Sequence, residues 1–340
     1  MSNHNSTIEQ KKRLSRNMLP LISILAIGCW GVLSFFLLEE PQADFSYPLW
    51  SYLEHQVPFL FKFNRILNFL VYTLVGYILI ELNNRYTIIR VRASVQASFF
   101  ILFVLACPQL YPLSRGSIAS LIFVFSLHIL FNSYQKQRPT NDLFLALFFL
   151  SLGTILVPQL FFLIPIYLLG AYQFQSLTAK SFFAGLIGLF VPYWFLFSHA
   201  FFYEEMWIFK APFIALINSF QIETTLINLT FSSLLSISLL LILYLVSSIH
   251  FFMTSYQDKI RTRAFLNFLV IISSVLFLIL LVNPILFNEI MPLLFIAVSF
   301  LSGHLFVLTK NRASNVFFIC STISLVFVFI SNVWTLLYNS

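Results

Sequence analysis

Residues 11–38, KKRLSRNMLPLISILAIGCWGVLSFFLL, decide how the rest of the chain is read. Lys11, Lys12, Arg13 and Arg16 precede an apolar run of about 20 residues from Met18 to Leu38, the length that crosses a hydrocarbon core. A secretory signal has a shorter apolar centre and a small-x-small cleavage site behind it, and this stretch has neither. It therefore reads as a retained first membrane helix whose basic start lies in the cytoplasm.

Composition extends that reading to the whole chain. Of its 340 residues 59% are hydrophobic and only 9% charged, where a soluble domain carries about 25% charged residues. Charge that sparse, together with 43 Phe, suits a surface whose solvent is lipid. The formal net charge of +7 does not point to nucleic acid, because the basic residues form short clusters between apolar runs and never one patch. Cys29, Cys107 and Cys320 lie far apart in or beside apolar runs, which implies neither a disulfide nor a metal site. There is no phosphate loop, dinucleotide fingerprint or metal-ligand spacing, so the residues name no cofactor.

Working outward from the first helix, the expected segments lie near 18–38, 64–82, 94–111, 115–133, 142–157, 158–176, 180–203, 229–254, 264–286, 291–309 and 313–336. The expected fold is thus one all-α transmembrane bundle over residues 1–340, with about 11 membrane segments, a short cytoplasmic tail (1–17), the N-terminus inside and the C-terminus outside. The cations test this arrangement. Lys11, Lys12, Arg13, Arg16, Arg85, Arg90, Arg92, Lys136, Arg138, Lys180, Lys259, Arg261, Arg263, Lys310 and Arg312 all fall inside. Only Lys62, Arg65, Arg115 and Lys210 fall outside, as the positive-inside bias requires. The two longest polar intervals, 39–63 and 204–228, then face the same outer compartment, and most of the acids lie on that side.

Two middle hairpins look alike: FFILFVLACPQLYPL (99–113) and FFLSLGTILVPQLFFLIP (148–165) each rise to a Pro-Gln-Leu, at 108–110 and 158–160, and then return. The helix from Asp142 to Val157 is about 24 Å long at 1.5 Å per residue, short of a core of about 30 Å, so the second pair has the dimensions of a re-entrant hairpin. Pro is also favoured at helix starts, which would make the likeness a coincidence. Ala184 and Gly188 suggest a small-x-x-x-small packing face, and Pro192 a kink in the same helix. From Asn83 to Phe195 the chain resembles an uncharacterised family of polytopic inner-membrane proteins of Bacteroidota. The resemblance rests on the Pro-containing short hairpin and the Gly185-x-x-Gly188-x-x-x-Pro192 helix, and it implies location and architecture but no activity.

The candidate catalytic residues come from the stretch EEPQADFSYPLWSYLEHQVPFLFKFNR (39–65). Its layout is similar to that of membrane glycosyltransferases of the C fold class, which place a catalytic acid in the first outer loop and use polyprenyl-phosphate sugars. By that resemblance Glu39, Glu40 and Asp44 are the candidate catalytic acids, taking a proton from an acceptor hydroxyl or holding a metal at the leaving phosphate. Lys62, Arg65, Arg115 and Lys210 are the candidate lipid-phosphate ligands. The expected partners are membrane lipids, among them a polyprenyl-phosphate-linked substrate, and the expected location is the bacterial inner membrane. Glu-Glu-Pro also stops an apolar span, and interfacial cations also snorkel, so a non-catalytic envelope scaffold is the alternative. A transporter or flippase fits less well, because no acid falls mid-span. His128, His199, His250 and His304 read as satisfied interfacial or core residues, and 258–263 as a positive-inside anchor.

Overall fold

The computed structural model describes residues 19–34, 49–52, 63–89, 94–218, 230–308 and 312–339, and all the regular structure among them is helical. The helices are α1 (Leu19–Ser34), α2 (Asn64–Tyr86), α3 (Val95–Ala106), α4 (Arg115–Asn132), α5 (Thr140–Leu156), α6 (Leu163–Gln173), α7 (Ala179–Phe202), α8 (Met206–Asn218), α9 (Phe231–Thr254), α10 (Ile260–Val282), α11 (Phe287–Leu308) and α12 (Arg312–Asn339). Every expected segment contains a helix. Among the described residues seven are long and apolar enough to cross a membrane: α2, α4, α7, α9, α10, α11 and α12. Helices α3, α5 and α6 have 12, 17 and 11 residues, because a proline ends the apolar run beside each of them. Helix α8 lies within the 204–228 interval that was read as a polar loop.

Helix α11 is the axis of the bundle. Its window is 89% buried, and α3, α4, α9 and α10 pack around it. Helices α7 and α12 lie at the periphery, with 22% of their windows buried. Their outward side chains are apolar, among them Phe183, Phe190, Trp194, Ile319, Ile323 and Trp334. A helix that is hydrophobic both inward and outward needs hydrocarbon on its outer side. The chain is a multi-pass membrane protein.

Helix α7 joins the bundle through α5, and glycine makes that joint possible. A Cβ on Gly188 would meet Phe144 O at 2.3 Å, and one on Gly185 would meet Leu147 Cδ1 at 2.5 Å. The expected face of Ala184 and Gly188 is therefore corrected by one residue. Ser181, Gly185, Gly188 and Pro192 form the buried stripe, and Ala184 is half-buried. One turn before Pro192, Ser151 Oγ on α5 donates to Leu189 O at 2.7 Å, a further link between the two helices.

The resemblance of the two hairpins is structural, and it extends to a third. Cys107, Val157 and Asn283 each end a helix in the same non-helical conformation (φ −120, ψ 76; φ −128, ψ 89; φ −134, ψ 84), the following proline disfavouring the α region. Each is followed by a proline turn, Pro108–Leu110, Pro158–Phe162 and Pro284–Leu286. In all three the leucine N–H returns to the residue before the proline: Leu110 to Cys107 O (2.9 Å), Leu160 to Val157 O (3.0 Å) and Leu286 to Asn283 O (3.2 Å).

The bundle thus has two unlike ends. One collects the three proline turns, with Arg65, Arg115 and Lys210. The other collects Arg85, Lys136, Arg138, Lys180, Lys259, Arg261, Arg263 and Arg312.

Candidate functional site

Glu39, Glu40, Asp44 and Lys62 lie outside the described residues. Two of the other candidate phosphate ligands are engaged within the fold. Arg65 Nη1 donates to Ser34 O (3.0 Å), the last carbonyl of α1, and Trp30 Nε1 donates back to Arg65 O (3.1 Å). The cation thereby meets the negative end of the α1 dipole and one of its orphan carbonyls. Arg115, at the start of α4, pairs with Glu289 in the first turn of α11 (Nη2 to Oε1, 2.7 Å), and both are buried. The pair is possible because the backbones touch: a Cβ on Gly116 would lie 2.3 Å from Asn288 O. Lys210 is exposed on α8.

At the proline-turn end the two long intervals meet. Leu49 and Trp50, from the first, are buried with Ala200 and Ile208 from the α7–α8 corner. Leu113 and Ile118 from the first hairpin, and Ile155 and Leu156 from the second, pack against the same cluster. Above it, the Tyr52 ring makes edge contacts with His199 and Trp207, each at 6.2 Å, and His199 lies 4.6 Å from Tyr203. Glu204 takes the left-handed conformation (φ 59), which reverses the chain sharply between the two helices. Glu205 N–H donates to Ala200 O (2.9 Å), while Glu205 Oε2 is buried with no hydrogen-bond partner among the described residues.

This corner combines two exposed rings, Tyr203 and Trp207, with an imidazole, a carboxylate whose second oxygen is uncommitted, and an exposed lysine on α8. Aromatic rings offer a broad apolar face with polar groups at the edge. A carboxylate or an imidazole accepts a proton from a hydroxyl. The set suits a polyhydroxylated ligand with apolar ring faces. Pattern reading missed it because Tyr52, His199, Trp207 and Glu205 belong to no local motif. The one available signal was that the two longest polar intervals face the same side.

The opposite end holds a separate polar network. Lys136 Nζ reaches both oxygens of Asp142 (3.0 and 2.8 Å), and Asn132 Nδ2 also donates to Asp142 Oδ1 (3.0 Å). Arg85 extends this to Asn132 Oδ1 (3.2 Å) and to the His128 ring (3.4 Å). Arg261 lies over the rings of Tyr86, Tyr134 and Phe265 at 5.2–5.6 Å. The 258–263 turn is therefore more than a solvated anchor: Asp258 is buried and its Oδ2 lies 3.2 Å from His304 Nε2. Two of the four histidines thus have polar partners on other segments, His128 on α2 and His304 on the 258–263 turn. No group of three or more His, Cys, Asp or Glu among the described residues is placed to hold a metal ion.

Comparisons with known proteins find no match to this chain, whether among family models, curated proteins or solved structures.

Proposed function

We propose that the protein is an inner-membrane enzyme that handles a lipid-linked sugar or phosphate at its outer face during envelope glycan assembly. The observation that supports this reading is the meeting of the first outer interval with the α7–α8 corner, where Tyr52, His199, Tyr203 and Trp207 form a run of ring contacts and the same corner holds Glu205, whose Oε2 is buried without a hydrogen-bond partner among the described residues. The side is assigned by the cations. Among the described residues eight lie at the end opposite the proline turns and three beside them, so in this reading the proline-turn end faces outward by the positive-inside bias. Glu39, Glu40 and Asp44 follow α1 in the sequence, and in this reading they keep the catalytic role expected from the glycosyltransferase layout. Lys62 and Lys210 are the phosphate ligands in this reading. Arg65 and Arg115 support the face from below.

The test is complementation of a deletion strain at matched protein levels, read as surface glycan and as lipid-linked intermediates. Replacing a general base by its amide costs about 10²–10⁴ in rate. At least one of Glu39→Gln, Glu40→Gln, Asp44→Asn and Glu205→Gln is therefore expected to accumulate the lipid-linked intermediate, and Trp207→Ala to weaken turnover. Full complementation by all five variants would leave the second reading, a non-catalytic scaffold of an envelope complex. That alternative is favoured by one specific observation, the use of Arg65 and Arg115 inside the fold.

A further inference from the structure

Between the second and third proline turns lies a groove of about 370 Å³, walled by Phe162 on one side and by Val275 and Ile279 of α10 on the other. Leu278 and Val282 on its rim are more than half exposed, so the groove opens sideways between helices, toward lipid. Two amides interrupt the apolar lining, Gln159 from the centre of the second turn and Asn283 from the start of the third. Gln159 is 6% exposed, and neither amide side chain has a hydrogen-bond partner among the described residues. An amide that opens onto a hydrocarbon-lined groove without a partner is costly there, most of all where no water can substitute. Its persistence beside a cavity marks a place for a ligand group that completes it.

We infer that this groove is a lipid site: it takes one hydrocarbon chain of an ester-linked membrane lipid, and the Gln159 amide donates to the ester carbonyl. The volume lies near the lower end of the range for small-molecule sites, about 300–1,000 Å³, and suits one chain rather than two. Helix breaks put the amides at the end of the bundle, where chains give way to headgroups. Among the described residues no lysine or arginine lines the groove. That matches an uncharged carbonyl and not a phosphate, which needs cationic or multiple donors. The site does not depend on the enzymatic reading, since no residue of the α7–α8 corner lines it.

The full chain, reconstituted in nanodiscs of phosphatidylglycerol doped with a diazirine-acyl phosphatidylglycerol, is irradiated and its labelled peptides are mapped. Labelling is expected to concentrate on residues 158–162 and 275–286 over the lipid-facing side of α7. Val275→Trp, which fills the groove, is expected to abolish that enrichment while α7 labelling stays constant. Gln159→Leu is expected to lower it about three- to tenfold, the effect of losing one intramembrane hydrogen bond. A second measurement needs no variant: an ether-linked diazirine lipid, which lacks the carbonyl, is expected to label the wild-type groove less by a similar factor. Even labelling of all lipid-facing helices would overturn the site. Equal labelling by ester and ether lipids, or displacement of the label by a polyprenyl phosphate at lower concentration than by phosphatidylglycerol, would overturn the assigned chemistry.

Discussion

Two buried asparagines in this bundle serve carbonyls around the first proline turn. Asn68 Nδ2, fully buried on α2, donates to Leu110 O, Tyr111 O and Pro112 O at 2.7–3.1 Å, and Asn332 Nδ2 on α12 donates to Ala106 O at 2.7 Å. These carbonyls surround the first proline turn and have no helical partner there. Replacing either asparagine with leucine keeps the volume but leaves carbonyls bare in hydrocarbon. Each replacement is expected to cost about 0.6–2 kcal/mol, read as a lower melting temperature in detergent, with Asn68→Leu the worse of the two. The Arg115–Glu289 pair makes a sharper prediction. If its role is structural, Arg115→Met or Glu289→Met alone strands a buried charge and costs about 3–5 kcal/mol, while the double replacement recovers most of the stability. If Arg115 instead binds substrate phosphate, the double variant stays inactive after its melting temperature has recovered.

At the level of elements, the same device appears three times: a helix, a non-helical residue before proline, a short turn closed on a leucine N–H, and a returning helix. The first two copies were visible as Pro-Gln-Leu. The third, Asn283-Pro284-Ile285-Leu286, was hidden because only Pro and Leu are shared, and those are the two positions that the geometry uses. Helix α7 illustrates the other element-level rule, close approach through glycine. Since Gly188 faces backbone and not a flexible side chain, Gly188→Ala must move α7 off α5. It is expected to cost about 1–3 kcal/mol, measured by thermal unfolding in detergent. Ala184→Val, one residue off the buried stripe, is expected to be close to neutral in the same assay.

For the whole molecule the open quantity is orientation. Helix α11 is buried along its length, with α10, α9, α3 and α4 around it, and such a core would pack identically either way up in a symmetric slab. Orientation is set by charge. A reporter that is active only outside the cytoplasm is expected to work when fused at Ser340 and to be silent when fused after Lys180, and the reverse pattern would invert the proposed face. Moving cations tests the cause: three lysines added beside the α7–α8 corner should compete with the opposite end and produce mixed topology.

Solvent explains how much was legible beforehand. The all-helical class and the place of most helices follow from local composition, α8 excepted, because in hydrocarbon each backbone polar group must bond within its own segment and apolar length marks where helices form. Helix ends were legible where proline stood, since proline acts on its immediate neighbours. Partnership was not. That Arg115 meets Glu289 across 174 positions, that Asn332 serves Ala106, that Asp258 turns inward to His304, and that the buried stripe of α7 runs through Gly185 rather than Ala184 all depend on which helices pack together. In a chain that is apolar on every face, hydrophobic periodicity no longer marks the inward side, so only the tertiary structure could decide those contacts.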